Sequence, residues 1–260
     1  MRCIFCKCDS TDSKSKEHIV PESLGNLSRI LPVGIVCDSC NNNFARKVEK
    51  PVMDSDFVSV NRFTHIVPNK KGRMPVLQGI LNRNIVVRAR RSLDGDFFLE
   101  VPPEILQHLI KEPKDGHFIL TTTGKGPDKK IFSRFLAKVA VEALAHKFLK
   151  GSLSLDEFID DTQFDPIRNH ARKGSPRDWI YHERKLYEAG TLHTYDNGEN
   201  YVTLHEYDFL FTNVSRDQAS TQDPVVSELY FIFTLFGIEY AINIGGPEVD
   251  GYEAWLKNNQ

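Results

Sequence analysis

The chain has 260 residues, 40% of them hydrophobic, and a formal net charge of −2, which suits one large globular domain or two modest ones. A balance so near neutral excludes a bulk polycation, so any nucleic-acid contact must come from a local basic face. No apolar run approaches the roughly 20 residues needed to span a bilayer. MRCIFCKC has no apolar stretch behind its first basic residue and is not a signal peptide, so a reducing, cytoplasmic location is expected.

In chain order, residues 1–52 form a cysteine-bearing segment, and the Pro of PVMDSDF (51–57) punctuates its end. Residues 57–67 suit a short helix or a strand equally. VLQGILNRNIVVRARR (76–91) and DFFLEVP (96–102) read as two strands around the Asp-Gly turn of SLDGD. PPEILQHLIKE is a short helix with proline at its start, and HFILTTT is a strand. The strongest helix is 130–151. Ile131, Phe135, Leu136, Val139, Ala143, Leu144 and Phe148 recur at helical spacing, Gly151 suits the C-terminal cap, and the helix is the expected pillar of the second unit. Two short helices follow in SLDEFIDD and DPIRNHARKG. After Trp179 the pattern turns to β: KLYEAGTLHTY and NYVTLHEYDFLF flank a DNGE turn, and ELYFIFTLFGIEYAINIG is a tight hairpin about Phe236–Gly237.

All five cysteines fall within the first 40 residues. In a reducing compartment such clustering favours metal over disulfide. Cys3-x-x-Cys6 and Cys37-x-x-Cys40 have the spacing of a tetrahedral zinc site in which each loop presents two thiolates to one cation. A segment of this size buries little core, so a metal staple is useful to it. Four thiolates leave no open coordination position, so the expected Zn²⁺ is structural. Cys8 is surplus, either a free thiol or a substitute for Cys6.

Between the pairs lies KEHIVPESLGN, and after them VCDSCNNNFARKVEKP. A Glu-His pair followed by Ile-Val-Pro, framed by two C-x-x-C pairs with Asn after the last cysteine, resembles the HNH endonucleases of the zinc-bearing type. The resemblance covers about residues 3–53. It implies a ββα-metal unit, a hairpin and helix gripping one divalent cation, and hence an α+β protein. Residues 1–56 would be a zinc-stabilised HNH nuclease domain. Residues 57–260 would be a larger mixed domain for targeting, dimerisation or regulation, as in phage-defence effectors or selfish-element nucleases. By the same resemblance His18 is the general base, Glu17 a cation ligand, and Asn41 the second ligand from the first helical turn. Asn42 or Asn43 takes that role if the helix starts one residue later. Family members often carry an asparagine before the second cysteine pair to hold the base-bearing strand. RILPVGIVC has none, and Asn26 is the nearest candidate.

The chemistry is coherent on its own terms. Phosphodiester hydrolysis needs an activated water, charge stabilisation at phosphorus and help for the leaving 3′ oxygen. A histidine suits the first task, and one hard cation, Mg²⁺ or Mn²⁺, suits the others. Neighbouring strand residues point to opposite faces, so Glu17 and His18 must lie at a strand end or bulge to converge. Each residue also has an ordinary reading: His18 and Glu17 as surface groups, Asn41 as a helix N-cap. Three basic stretches are either phosphate-facing or solvated: Arg46, Lys47 and Lys50; Lys129, Lys130, Arg134 and Lys138; and 168–177. The other histidines form no ligand pair and read as structural or surface groups. The expected function is metal-dependent endonucleolytic cleavage of DNA through its phosphate backbone. A non-catalytic zinc-dependent nucleic-acid-binding module and an RNA endonuclease are the alternatives, a homodimer is open, and no membrane partner is expected.

Overall fold

The computed structural model describes residues 1–82, 84–111, 117–151, 154–175, 178–214 and 226–259. Helices and strands are mixed throughout, with an N-terminal segment that carries the cysteine cluster ahead of a larger α/β region. The chain divides into two compact units. One comprises Met1–Pro21, Asn26–Val52 and Asp128–Gln260, the other Glu22–Gly25 and Met53–Pro127.

The first segment contributes a short antiparallel pair, β1 (Glu17–His18) and β2 (Ile30–Leu31), with Glu17 opposite Leu31 and His18 opposite Ile30. Helix α1 (Asp38–Phe44) follows and continues through a π turn, Ala45–Glu49, into α2 (Lys50–Met53). The sequence explains the π turn. Cys40, Phe44, Val48 and Val52 are all buried, and they recur every four residues. In a 3.6-residue helix that spacing turns a stripe by about 40° per step; the wider winding brings it back toward one face.

In the second unit α3 (Asp56–Thr64) is capped by the Ser55 hydroxyl, which accepts from the Val58 N–H. The undecided segment is thus a helix. Strands β3 (Leu77–Leu81), β4 (Ile85–Arg91), β5 (Phe97–Glu100) and β6 (Phe118–Leu120) form an antiparallel sheet in the order β5-β4-β3-β6, and α4 (Pro103–Lys111) lies between β5 and β6 in the chain. The run 76–91 is therefore two strands and not one. Asn82, with φ +51°, makes the turn, a left-handed conformation that asparagine tolerates well. Phe63, Leu77 and Ala89 are the buried centre of this unit.

The first unit resumes with α5 (Lys129–Lys150), α6 (Leu155–Asp160) and α7 (Asp165–Lys173). The single apolar stripe expected for α5 is too narrow. Residues 132–145 are buried on every side except at Arg134, and the buried set includes Ser133, Lys138 and Glu142. Lys138 thus belongs to no solvated basic edge. Strands β7 (His182–Lys185), β8 (Leu192–Thr194), β9 (Asn200–Val202), β10 (His205–Val214), β11 (Val226–Leu235) and β12 (Ile238–Asn243) and helix α8 (Asp250–Asn258) complete the unit. Here β8 and β9 form a separate small hairpin, and the main sheet runs β10-β11-β12-β7.

The β11–β12 hairpin turns at Phe236 and Gly237, with φ +50° and +81°, the left-handed pair of a tight hairpin turn. A side chain at 237 would run into the Tyr187 carbonyl. The sheet packs Phe233 and Tyr240 against Phe135 and Phe132 of α5, with ring centroids 6.1 Å and 4.6 Å apart. Among the described residues no helix is long and apolar enough to cross a membrane.

Candidate active site

The cysteine pairs converge. The Sγ atoms of Cys3, Cys6, Cys37 and Cys40 all lie within 4.8 Å of one another. A zinc ion with Zn–S bonds near 2.3 Å needs sulfurs about 3.8 Å apart, so the cluster fits a closed tetrathiolate site. Local geometry builds it. Lys7, at φ +62°, turns the first loop so that its N–H reaches the Cys3 carbonyl at 2.9 Å. Cys37 is the N-cap of α1, its sulfur accepting from the Cys40 N–H at 3.4 Å. The thiols compete for ionisation: a hydrogen bond from Cys40 pulls Cys3 down to about 4, whereas burial pushes Cys6 up to about 12. A divalent cation removes the competition, because it lets all four bind as thiolates. Cys8 is exposed and lies outside the cluster.

Two amide clamps position the strand beside this site. Asn26 is 3% exposed. Its Nδ2 donates to the Val20 carbonyl at 2.7 Å and the Arg29 carbonyl at 2.9 Å, while its Oδ1 accepts from the Arg29 N–H at 2.9 Å. Asn26 therefore closes the loop between β1 and β2, although it lies far from the second cysteine pair in sequence. Asn41 sits in the first turn of α1, and its Nδ2 donates to the Lys16 carbonyl at 3.4 Å, just ahead of β1. The helix starts at Asp38 with Cys37 as its cap, so Asn41 is not the N-cap.

The three asparagines diverge, since successive helical residues are about 100° apart. Asn42 is exposed. Asn43 donates to the Arg172 carbonyl at 3.2 Å, on another side of the helix from Asn41.

His18 ends β1 and is half-buried, while Glu17 points inward at 6% exposure. Glu17 meets a group that sequence reading misses. Lys138 of α5 is wholly buried, its Nζ 2.6 Å from Glu17 Oε1, 2.8 Å from Glu49 Oε1 and 2.9 Å from Glu142 Oε2. It also donates to the His18 carbonyl at 3.1 Å. Burial alone would lower the Lys138 pKa, but the carboxylates around it hold it well above its ordinary value. Burial likewise raises Glu142 well above the carboxylate range against the opposing pull of Lys138. Glu17 shifts upward for the same reason. The only sequence signal was the i, i+4 Lys138–Glu142 pair inside an otherwise apolar helix.

Residues 3–57 match a family model described as HNH endonuclease. No curated protein and no solved structure matches the chain. The N-terminal region is thus of the HNH nuclease type, a class that implies a nucleic-acid substrate, with a cysteine cluster consistent with a zinc site.

Proposed function

We propose that the protein is a cytoplasmic, metal-dependent endonuclease that hydrolyses DNA phosphodiesters at His18. The observation that supports this best is the placement of His18. It ends a two-residue strand between the Asn26 clamp on the Val20 carbonyl and the amide of Asn41, the residue after Cys40, on the Lys16 carbonyl. His18 takes the proton of the attacking water, the water oxygen bonds to phosphorus, and the bond to the 3′ oxygen breaks. A catalytic Mg²⁺ or Mn²⁺ supplies charge neutralisation at the phosphate and the leaving oxygen. Asn41 fits such a cation, because its Nδ2 is spent on the Lys16 carbonyl and its amide oxygen is the atom left for a hard ion. Glu17 fits less well: Lys138 holds one carboxylate oxygen, so Glu17 would reach a cation only through the other. Asn42 and Asn43 are directed elsewhere and are not proposed as ligands. A homodimer gains no support from the described residues.

His18→Ala is expected to lower single-turnover cleavage of plasmid DNA by roughly 10²–10⁴, the usual contribution of a positioned acid or base, with zinc content and DNA affinity kept. A variant that cuts within a factor of two of the wild type removes His18 as the base. Cleavage is also expected to stop in EDTA under conditions where elemental analysis shows the zinc retained, and to return with Mg²⁺ or Mn²⁺. Full activity in EDTA would refute the catalytic cation.

The ion pairing of Glu17 favours one rival, a non-catalytic nucleic-acid-binding module. That reading requires wild type and His18→Ala to bind equally and neither to cut. Cleavage of RNA in preference to DNA, in the same assay, would change the substrate and leave His18 in place.

A further inference from the structure

Three basic stretches far apart in sequence meet in the first unit. Ser39, Cys40 and Asn43 of α1, Lys47 of the π turn, Arg134 of α5, and Arg172 and Lys173 of α7 line an open groove of about 470 Å³. Every charged side chain in that lining is a cation. Among the described residues none of the four pairs with a carboxylate, although Lys130 nearby on α5 pairs with Asp178 at 3.1 Å. Of the basic stretch 168–177, residues 176 and 177 lie outside the described residues.

Neighbouring negative charge accounts for only part of this. The C-terminal carbonyls of α7 are answered by Arg134, which donates to Ala171 O at 3.1 Å and Arg172 O at 2.8 Å, and by Asn43. Arg172 also lines the cavity around the cysteines, where a zinc tetrathiolate would carry a formal charge of about −2. Lys47 and Lys173, both exposed, have no such local partner. In a chain of net charge −2, a groove with four cations and no carboxylate is a local anion-attracting field.

We propose that this groove is a phosphate-backbone site for DNA, separate from the cleavage centre. Lys47, Arg172 and Lys173 would hold phosphates, and Asn43 and Ser39 would offer neutral polar contacts. The inference rests on the nuclease reading and extends it to α5 and α7, outside residues 3–57. Asn43 lines the groove, while Asn41, on another side of α1, donates to the Lys16 carbonyl just ahead of β1, so α1 joins the groove to the segment that carries His18.

The test is fluorescence anisotropy of a labelled DNA duplex in EDTA, across a range of salt concentrations. It compares wild type, the double variant Lys47→Ala/Lys173→Ala, and Lys257→Ala, which removes a cation from α8. The double variant is expected to flatten the log–log salt dependence of affinity by about 2, one per lost phosphate contact. It should weaken unrelated sequences equally, because phosphate contacts carry no sequence information, and Lys257→Ala should match the wild type. If wild type cuts DNA and the double variant keeps its affinity and slope, the groove proposal falls while the nuclease reading stands. If Lys257→Ala flattens the slope as much per charge, the effect is global charge and the groove proposal also falls. Wild-type protein that neither binds nor cuts DNA overturns both.

Discussion

Cys40→Ser is expected to strip the protein of a stoichiometric zinc and to lower its stability by several kcal/mol. A serine hydroxyl cannot replace a thiolate in a closed four-sulfur site, and in small zinc units the apparent metal binding energy is about 10–16 kcal/mol. That range is a ceiling here, since other contacts also hold the first loop. Phe5 packs edge-on against Phe44 at 4.5 Å, Arg2 pairs with Asp160 at 2.6 Å and Asp156 at 3.0 Å, and Lys7 pairs with Asp165 at 2.7 Å. Exposed ion pairs contribute about 0–1 kcal/mol each, too little to offset the metal. Hydrogen exchange should therefore quicken over residues 3–9 and 34–44 before α5 is affected. Cys8→Ser, outside the cluster, should keep the zinc and the melting temperature. Elemental analysis beside thermal unfolding decides the matter: wild-type protein that is folded and zinc-free, or a Cys8 variant that loses the metal, contradicts this assignment.

What could be read from the sequence was local. The cysteine spacing, the turn at Phe236–Gly237 and the Ser154 start of α6 each depend on a few adjacent residues, and each has a backbone requirement that only certain side chains meet. Asn82 was hidden because its left-handed turn interrupts a run of apolar residues without a glycine to announce it. Asn26 is a candidate through the family resemblance alone: its clamp is made to backbone carbonyls, which residue spacing does not report. Lys138 reads as part of an exposed basic edge, phosphate-facing or solvated, because a lysine at a helical position is usually exposed. Two of its three carboxylate partners lie more than 85 residues away in the chain. Only the compact unit that joins residues 1–21 and 26–52 to 128–260 brings them together.

Lys138→Met should destabilise the first unit by about 3–5 kcal/mol, the usual cost of removing one partner from a buried ion pair. The shape of the side chain is roughly kept, so the loss is electrostatic: Glu17, Glu49 and Glu142 lose the ammonium between them, and the His18 carbonyl loses a donor. Glu142→Gln should behave oppositely. Glu142 is raised well above its ordinary 4.5, so what it contributes to stability is full below pH 4.5 and is lost as pH rises toward its folded pKa. Each pH unit across that window costs the wild type about 1.4 kcal/mol relative to the glutamine variant, whose amide is neutral throughout. At neutral pH Glu142→Gln should therefore be as stable as the wild type or more so. Lys138 has the same sign in a higher window: its raised pKa keeps its stabilisation complete below 10.5, so the methionine variant should be deficient at every pH from 6 to about 9. Denaturant unfolding of the three proteins across that range, with zinc present, measures both effects. A Lys138→Met protein as stable as the wild type would show that the buried lysine does not hold this cluster together, and a Glu142→Gln protein several kcal/mol weaker at neutral pH would show that Glu142 serves as an ionised partner of Lys138 and not as a group that burial disfavours.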